Sequence, residues 1–365
     1  MYSYTEYDEY ISKFDIFNIY SNDTLELELN SWQICKFNSL NLKKFTKLQK
    51  IICTRNYITG FKNLPNTLTY FICSDNSIIN LDNLPQNLTY LDCSKNKILK
   101  LDNLPNLETL DCSNNKLTEL DNLPNSIIKL VCNNNHLTKL DDLPNKIEYL
   151  DCSDNNIHKL NNLPLKLLKL YCYNNKMIEL NNLPNSLIEI VCSYNMINNI
   201  NIPDNLESIY CGHNRIRELN ITQNNLRHLY CQNNKISILN ISSFNLENLF
   251  CHDNKIKKLN NLPNGLKKLC CENNIISELN NLPHDLIYLD CKKNLITELN
   301  NLPTNLQELY CDHDGSVEIY NSHTNLKKIN QYKIYNLSEY TEPIKLKLYN
   351  DEIINLYAYP KLTIT

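Results

Sequence analysis

The sequence predicts a repeat solenoid, a stack of short coils carrying a parallel β-sheet along one side, with few helices. Three observations predict it. A cysteine returns every 19 or 20 residues from Cys53 to Cys311, fourteen times without a gap. Aliphatic residues keep fixed offsets from each cysteine, and an asparagine follows three residues behind it in almost every copy. A period this short marks stacked repeats, because one unit cannot bury its own apolar face and must borrow a neighbour's. The length of 365 residues would otherwise suggest two domains, a prior that a repeat array overrides.

Each coil is justified column by column. Five residues before the cysteine stands Leu or Ile, as at Leu48, Leu68, Leu88, Leu107, Ile127 and Leu306. Two before it the residue is again aliphatic, or Phe71. The stretch from three before to one after alternates apolar and polar, as a half-buried strand does, so the aliphatic residue and the cysteine point inward. Strands of successive coils then pair in parallel at about 4.8 Å, and fourteen of them make an arc of about 65 Å. The Asn three residues on, from Asn56 and Asn76 to Asn294, is expected to turn the chain out of the strand. Its amide donates and accepts, so a buried Asn column satisfies loop backbone groups coil after coil. Leu-Pro between coils fixes φ and removes a donor, which favours an extended return over an α-helical one. With only four glycines in the chain, turns at positive φ fall to Asn, which tolerates them.

The pattern L-x-x-L-x-C-x-x-N-x-I-x-x-L resembles the leucine-rich repeat family over about residues 48–314. The recurrent Leu64-Pro65, Leu84-Pro85 and Leu262-Pro263 resemble the short class found in secreted effectors of enteric bacteria, which commonly carry Val where this chain has Cys. A composition rich in Asn, Ile, Lys, Leu and Tyr, with one alanine at Ala358, resembles repeat proteins of giant amoeba-infecting viruses. The resemblance implies that the parallel sheet forms a concave binding face, that the chain is a protein-interaction module, and that no cofactor is required. Effectors of this class sometimes append a ubiquitin-ligase domain; only about 50 residues follow the array here, too few for one.

The ends depart from the period. Residues 1–47 read as an acidic, aromatic segment with a short helix within 1–24. A degenerate capping coil follows, in which Leu25, Leu27 and Leu29 alternate and Cys35 and Asn38 keep the three-residue offset. Residues 315–365, with the strand-like IKLKLYN, read as a C-terminal cap or small β appendage. Caps cover the open sheet edge and apolar end of a stack. Inside the array three consecutive joints lack Leu-Pro: Ile202-Pro203, Ile221-Thr222 and Ile241-Ser242. Sequence drift explains them, with a local change of curvature as the alternative.

Net charge is −4 without a dominant lysine tract, so the footprint of a nucleic-acid binder is missing. No run approaches a membrane span and the N-terminus lacks signal-peptide character, so no membrane partner is expected. The ladder cysteines carry parallel Cβ vectors, whereas a disulfide needs converging ones. They read as small buried hydrophobes, metal spacings are absent, and so many free thiols favour a reducing compartment. The expectation is a cytoplasmic monomer, in a host cytoplasm if the source is viral. The sequons at Asn87, Asn220 and Asn240 are then chance.

The outward columns name a candidate surface. Tyr171, Tyr210, Tyr230 and Phe250 occupy the position before the cysteine, with Tyr173, Tyr194, His213, His228 and His252 in adjacent columns. Aromatics gathered on a polar sheet bury much area at little entropic cost and are candidate hot spots for a protein partner. Against this, a chain with 23 tyrosines places some on any strand. Charges on the face are mixed: Asp92, Asp111, Asp151, Asp154 and Glu272 against Lys50, Arg55, Lys95, Lys129 and Lys268. Nucleic acid would need a basic groove beside the rings. Cys270 is the one array cysteine expected to point outward, with His252 diagonal to it, but a sheet supplies no pocket or oxyanion hole. Two classes of function remain: a non-enzymatic interaction module, or a structural, packaging solenoid without a dedicated ligand.

Overall fold

The computed structural model describes residues 20–32, 34, 42–312, 314–321, 326–330, 332–333, 344–349 and 352–355. The helix expected within residues 1–24 falls almost wholly outside these, as do Cys35 and Asn38. The chain divides into two compact units, Met1–Lys176 and Met177–Thr365.

In the first unit each coil contributes a three-residue strand. Glu26–Glu28, Lys50–Ile52, Tyr70–Ile72, Tyr90–Asp92, Thr109–Asp111, Lys129–Val131, Tyr149–Asp151 and Lys169–Tyr171 pair in parallel, each with the next. The second unit repeats the pattern with Glu189–Val191, Ser208–Tyr210, His228–Tyr230, Asn248–Phe250, Lys268–Cys270, Tyr288–Asp290 and Glu308–Tyr310. There Lys328–Ile329 adds in parallel to Glu308–Tyr310, and Tyr332–Lys333 then turns back antiparallel. A second sheet follows the array: Asp314–Asn321 pairs with Glu298–Leu299 in parallel and with Ile344–Tyr349 antiparallel, and Glu352–Asn355 completes it.

The alternation holds. In coil after coil the residue two before the cysteine and the cysteine itself are fully buried, as at Ile51 and Cys53 or Leu229 and Cys231. The flanking outward residues are half-buried. Regular strand ends one residue before the cysteine, earlier than the alternation predicts, although the Cys N–H still bonds across the ladder, as from Cys53 to the Ile72 carbonyl (2.9 Å).

The exit from the strand corrects the sequence reading. The residue that turns the chain is the one before the Asn. Arg55, Asp75, Lys95, Asn114, Tyr194 and His213 all lie at φ between 51° and 57°, a left-handed conformation uncommon outside glycine. The Asn then anchors the turn. Asn155 accepts from the Leu137 N–H (2.9 Å) and donates to the carbonyls of Cys132, Cys152 and Ser153 (3.1, 3.1 and 3.0 Å). Asn76, Asn96, Asn214 and Asn274 make the same set of contacts.

The altered joints change the back of the coil. In Leu-Pro coils an Asn or Asp at positive φ precedes the Leu, as at Asn63, Asn162 and Asn261. In the coils of Cys211 and Cys231 that place is taken by Ile221 and Ile241, which are buried. Apolar residues then fall two apart (Leu219 and Ile221, Leu239 and Ile241), as Ile200 and Ile202 do in the coil of Cys192, where the Leu-Pro coils space them by three. Period two is strand period, and Glu218–Ile221 pairs in parallel with Ile238–Ile241, Asn220 facing Asn240.

Candidate interaction surface

Parallel in-register strands set like residues about 4.8 Å apart, close to the distance at which aromatic rings stack. On the outward face of the second unit Tyr210, Tyr230 and Phe250 are register partners. Their rings stack at centroid distances of 4.5 and 4.8 Å with interplanar angles of 9° and 12°. Beside them Tyr194 stacks on His213 (4.0 Å, 14°). Ring faces within these rows are spent on one another, so the rows present ring edges to a partner. Burial and the neighbouring Tyr230 raise the Tyr210 hydroxyl pKa, which keeps it a proton donor.

The remaining positions are polar. The His228 ring meets the Asn248 amide (Nδ1 to Nδ2, 2.7 Å). Gly212 forms a notch between rows: a Cβ there would lie 2.8 Å from the Gln232 amide, which lies across it. Gln232 Oε1 is buried without a hydrogen-bond partner among the described residues. Tyr171 and Tyr173 belong to the first unit, where the Tyr171 ring tilts against Tyr149 (5.3 Å, 36°). The continuous stacks that the structure assembles from the predicted residues are therefore Tyr210–Tyr230–Phe250 and Tyr194–His213.

Cys270 has the expected register, between Phe250 and Asp290 on the outward face. It is not an exposed thiol, because its neighbours leave only 8% of it accessible. Its Sγ lies 3.5 Å from His252 Nδ1, and His252 Nε2 lies 3.9 Å from Asp253 Oδ2. The arrangement looks like a nucleophile with its base, but burial, with the Asp290 carboxylate next, pushes the thiol pKa up to about 12. A nucleophilic cysteine needs the opposite shift. No group of three or more His, Cys, Asp or Glu among the described residues is arranged to hold a metal ion.

Sequence reasoning took His228, Lys50, Lys129 and Lys268 from the column three before the cysteine but passed over its tyrosines. In the first unit Tyr70 and Tyr90 stack there at 4.1 Å and 11°. In the second, Tyr288 of that column packs on Tyr310 at 5.4 Å. The same alternation that located Tyr210 would have found them. Cations sit over several of these rings: Lys50 over Tyr70 (5.7 Å), Lys129 over Tyr149 (5.1 Å) and Lys292 over Tyr310 (5.4 Å). The face charges pair locally, Lys50 with Glu26 and Lys293 with Glu272, both at 2.9 Å. Asp92, Asp111 and Asp151 each accept the N–H of the serine two residues on. A cavity of about 740 Å³ in the first unit, lined by Phe45, Phe61, Leu64 and Pro65 among others, is bordered by the Leu-Pro joint.

The family model for leucine-rich repeats (two copies) matches residues 86–125. YopM from Yersinia enterocolitica WA-314 is 29% identical, with 79% of this chain and 71% of that one covered and a TM-score of 0.66. The functional domain of InlJ from Listeria monocytogenes, described as including a cysteine ladder, is 30% identical over 81% of this chain and 68% of that one, with a TM-score of 0.70. YopM from Yersinia pestis, described as a leucine-rich effector protein, shares the fold at 24% identity, covering 90% of this chain and 100% of that one with a TM-score of 0.66. No curated protein matches the chain.

Proposed function

The chain belongs to the leucine-rich repeat family, and from that premise we propose that it is a non-enzymatic protein-interaction module. In this reading it grips a protein partner on the outward face of its main parallel sheet, the face expected from the sequence to be concave. The observation that carries the reading is the stacked row Tyr210–Tyr230–Phe250. Aromatics locked against each other lose little further entropy on binding, which makes them efficient contact groups. Tyr194, His213, His228 and His252 supply polar contacts beside the row, and Tyr171 and Tyr173 extend the candidate set in the first unit. Because the edges of the rings face outward, the row suits the apolar and aromatic side chains of a protein. A nucleic-acid base, which stacks on ring faces, finds them already covered.

The absence of a competent nucleophile at Cys270 supports the non-enzymatic part of this reading. The buried ladder cysteines, none of them paired in a disulfide among the described residues, fit a reducing, cytoplasmic setting, and no helix among the described residues is long and apolar enough to cross a membrane. Residues 1–47 and 315–365 act as caps of the array in this proposal, and the protein works as a monomer. The test is a partner captured from the natural cell and measured against Tyr210→Ala/Tyr230→Ala. A loss of about 2 kcal/mol or more in binding, with an unchanged circular dichroism spectrum, is expected. Full affinity for the double variant would move the site elsewhere and favour the structural, packaging solenoid or a role for the caps.

A further inference from the structure

The coils that carry the stacked row also carry a strip of cations, just past the left-handed turn made by His213, Asn233 and Asp253. Four and six residues after Cys211 stand Arg215 and Arg217, and the same places after Cys251 hold Lys255 and Lys257. The coil of Cys231 contributes Lys235, with Ser237 in the second place. All five cations are exposed, and none forms an ion pair with a described residue. In the sequence successive coils set them 20 residues apart, so they make no tract. Stacking brings them together. The Arg215 N–H bonds the Ile197 carbonyl (2.9 Å), the Lys235 N–H that of Ile216 (2.9 Å) and the Lys255 N–H that of Ile236 (2.8 Å). This backbone ladder holds the column one coil apart, between Met196 on one side and Ile275 on the other.

The acids of these coils and the next are engaged elsewhere. Glu218, beside Arg217, accepts from the Asn220 amide (3.1 Å). Asp253, two residues before Lys255, accepts from the Asn273 amide (2.5 Å) and lies 3.9 Å from His252 Nε2. Glu278 binds Lys258 (3.4 Å), a further cation next to Lys257. A positive excess therefore remains along the strip. Its shape and surroundings select the occupant. Two coil intervals of about 4.8 Å span about 10 Å, the length of about three extended residues. A nucleic-acid strand would need open ring faces beside the cations for its bases. The strip itself holds no aromatic residue, and the rings of the sheet on these coils are stacked on one another. A membrane surface would need an apolar face to enter it, and only Ile238 lies exposed among the cations. A short acidic stretch of polypeptide needs neither.

Resting on the reading of this chain as a protein-interaction module, we infer that Arg215, Arg217, Lys235, Lys255 and Lys257 form a seat for a short, extended acidic segment of the protein partner. The segment runs along the stack, and the stacked row of the same coils takes the partner's apolar side chains. Fixed charge of one sign at the rim steers the encounter and sets its orientation, while the uncharged row supplies buried contact.

The test titrates the full-length protein with poly-L-glutamate by calorimetry at neutral pH and low salt. Arg215→Gln/Lys235→Gln/Lys255→Gln/Lys257→Gln, with an unchanged circular dichroism spectrum, is expected to bind about tenfold more weakly than the wild type, the scale of several exposed ion pairs. Lys97→Gln/Lys116→Gln/Lys146→Gln/Lys166→Gln removes the same charge from exposed positions of the first unit and should keep wild-type affinity. No wild-type binding, or equal losses in the two quadruple variants, overturns the inference. Tighter wild-type binding of polyuridylate or of phosphatidylserine vesicles, lost in the strip variant, also overturns it, because the strip then serves nucleic acid or membrane. Should the strip variant fail to fold, Lys235→Gln/Lys255→Gln must weaken binding by about threefold, and unchanged affinity overturns the inference equally. Tyr210→Ala/Tyr230→Ala leaves these cations in place and should keep the probe. Its loss of a captured partner therefore bears on the aromatic row alone, and a strip variant that keeps the probe sinks this inference alone.

Discussion

Asn155→Leu tests the asparagine column that holds the coils in register. The residue is 6% exposed. Its Oδ1 takes the Leu137 N–H at 2.9 Å and its Nδ2 bonds the carbonyls of Cys132, Cys152 and Ser153 within 3.1 Å. Leucine keeps the branching at Cγ but carries bulkier methyl groups, so the substitution removes every polar contact and adds some volume. The stranded Leu137 N–H costs about 1–3 kcal/mol. Each of the three carbonyls keeps another donor: the Ser153 oxygen accepts the Asn134 N–H (2.9 Å), and the Cys132 and Cys152 oxygens accept from the amides of Asn135 and Asn175 (3.1 and 3.0 Å). The stranded N–H therefore dominates, and a total of about 1–3 kcal/mol follows. Lys139→Ala is the control: its ammonium sits 3.8 Å from Asp141 with both groups about half exposed, which limits its effect to about 0.5 kcal/mol. Urea denaturation followed by circular dichroism reads both variants against the wild type. Because each coil depends on its neighbours, the Leu variant is also expected to broaden the transition. Equal midpoints for the two variants would refute the claim that the Asn column supports the fold.

Three further outcomes are expected. The ladder thiols are buried and raised by burial, Cys211 and Cys311 to about 12, so a thiol reagent should label almost none in the native protein and all in denaturant. Intercoil disulfides found by mass spectrometry without reductant would contradict this. Asp111 is held above its ordinary carboxyl value of 3.8, chiefly by burial. Its native form binds protons more readily than the unfolded chain, so it lowers stability as pH rises from 3.8 through the native value. Asp111→Asn, which keeps an acceptor for Ser113, should remove that slope and be at least as stable at pH 7; a variant clearly less stable at pH 7 would count against it. Glu247 shifts the other way, lowered by Lys267 first and Arg227 after it. Its contribution is present above 4.5 and lost as pH falls through the native value. Screening limits Glu247→Gln to about 0.5–1 kcal/mol in a thermal melt at neutral pH, and a larger loss would mean that this exposed ladder carries structural weight.

The sequence alone determined the repeat, the buried columns and the direction in which each outward residue faces. Those follow from period, because residues at fixed offsets in identical coils meet identical environments. Hence Tyr210, Tyr230 and Phe250 were legible as one outward row. The tertiary structure decided what the columns do to one another. It set Tyr210, Tyr230 and Phe250 face to face, a consequence of strand spacing matching ring thickness. It covered Cys270, because neighbouring side chains and not the register control exposure. It placed the left-handed turn one residue before the Asn, since an Asn that bonds four backbone groups is the anchor of the turn and its predecessor must supply the positive φ. It also turned the joints at Ile221 and Ile241 into paired strands, for a one-residue shift of the buried side chain converts a spacing of three into a spacing of two. A single coil does not contain these outcomes, because each depends on the coil stacked against it.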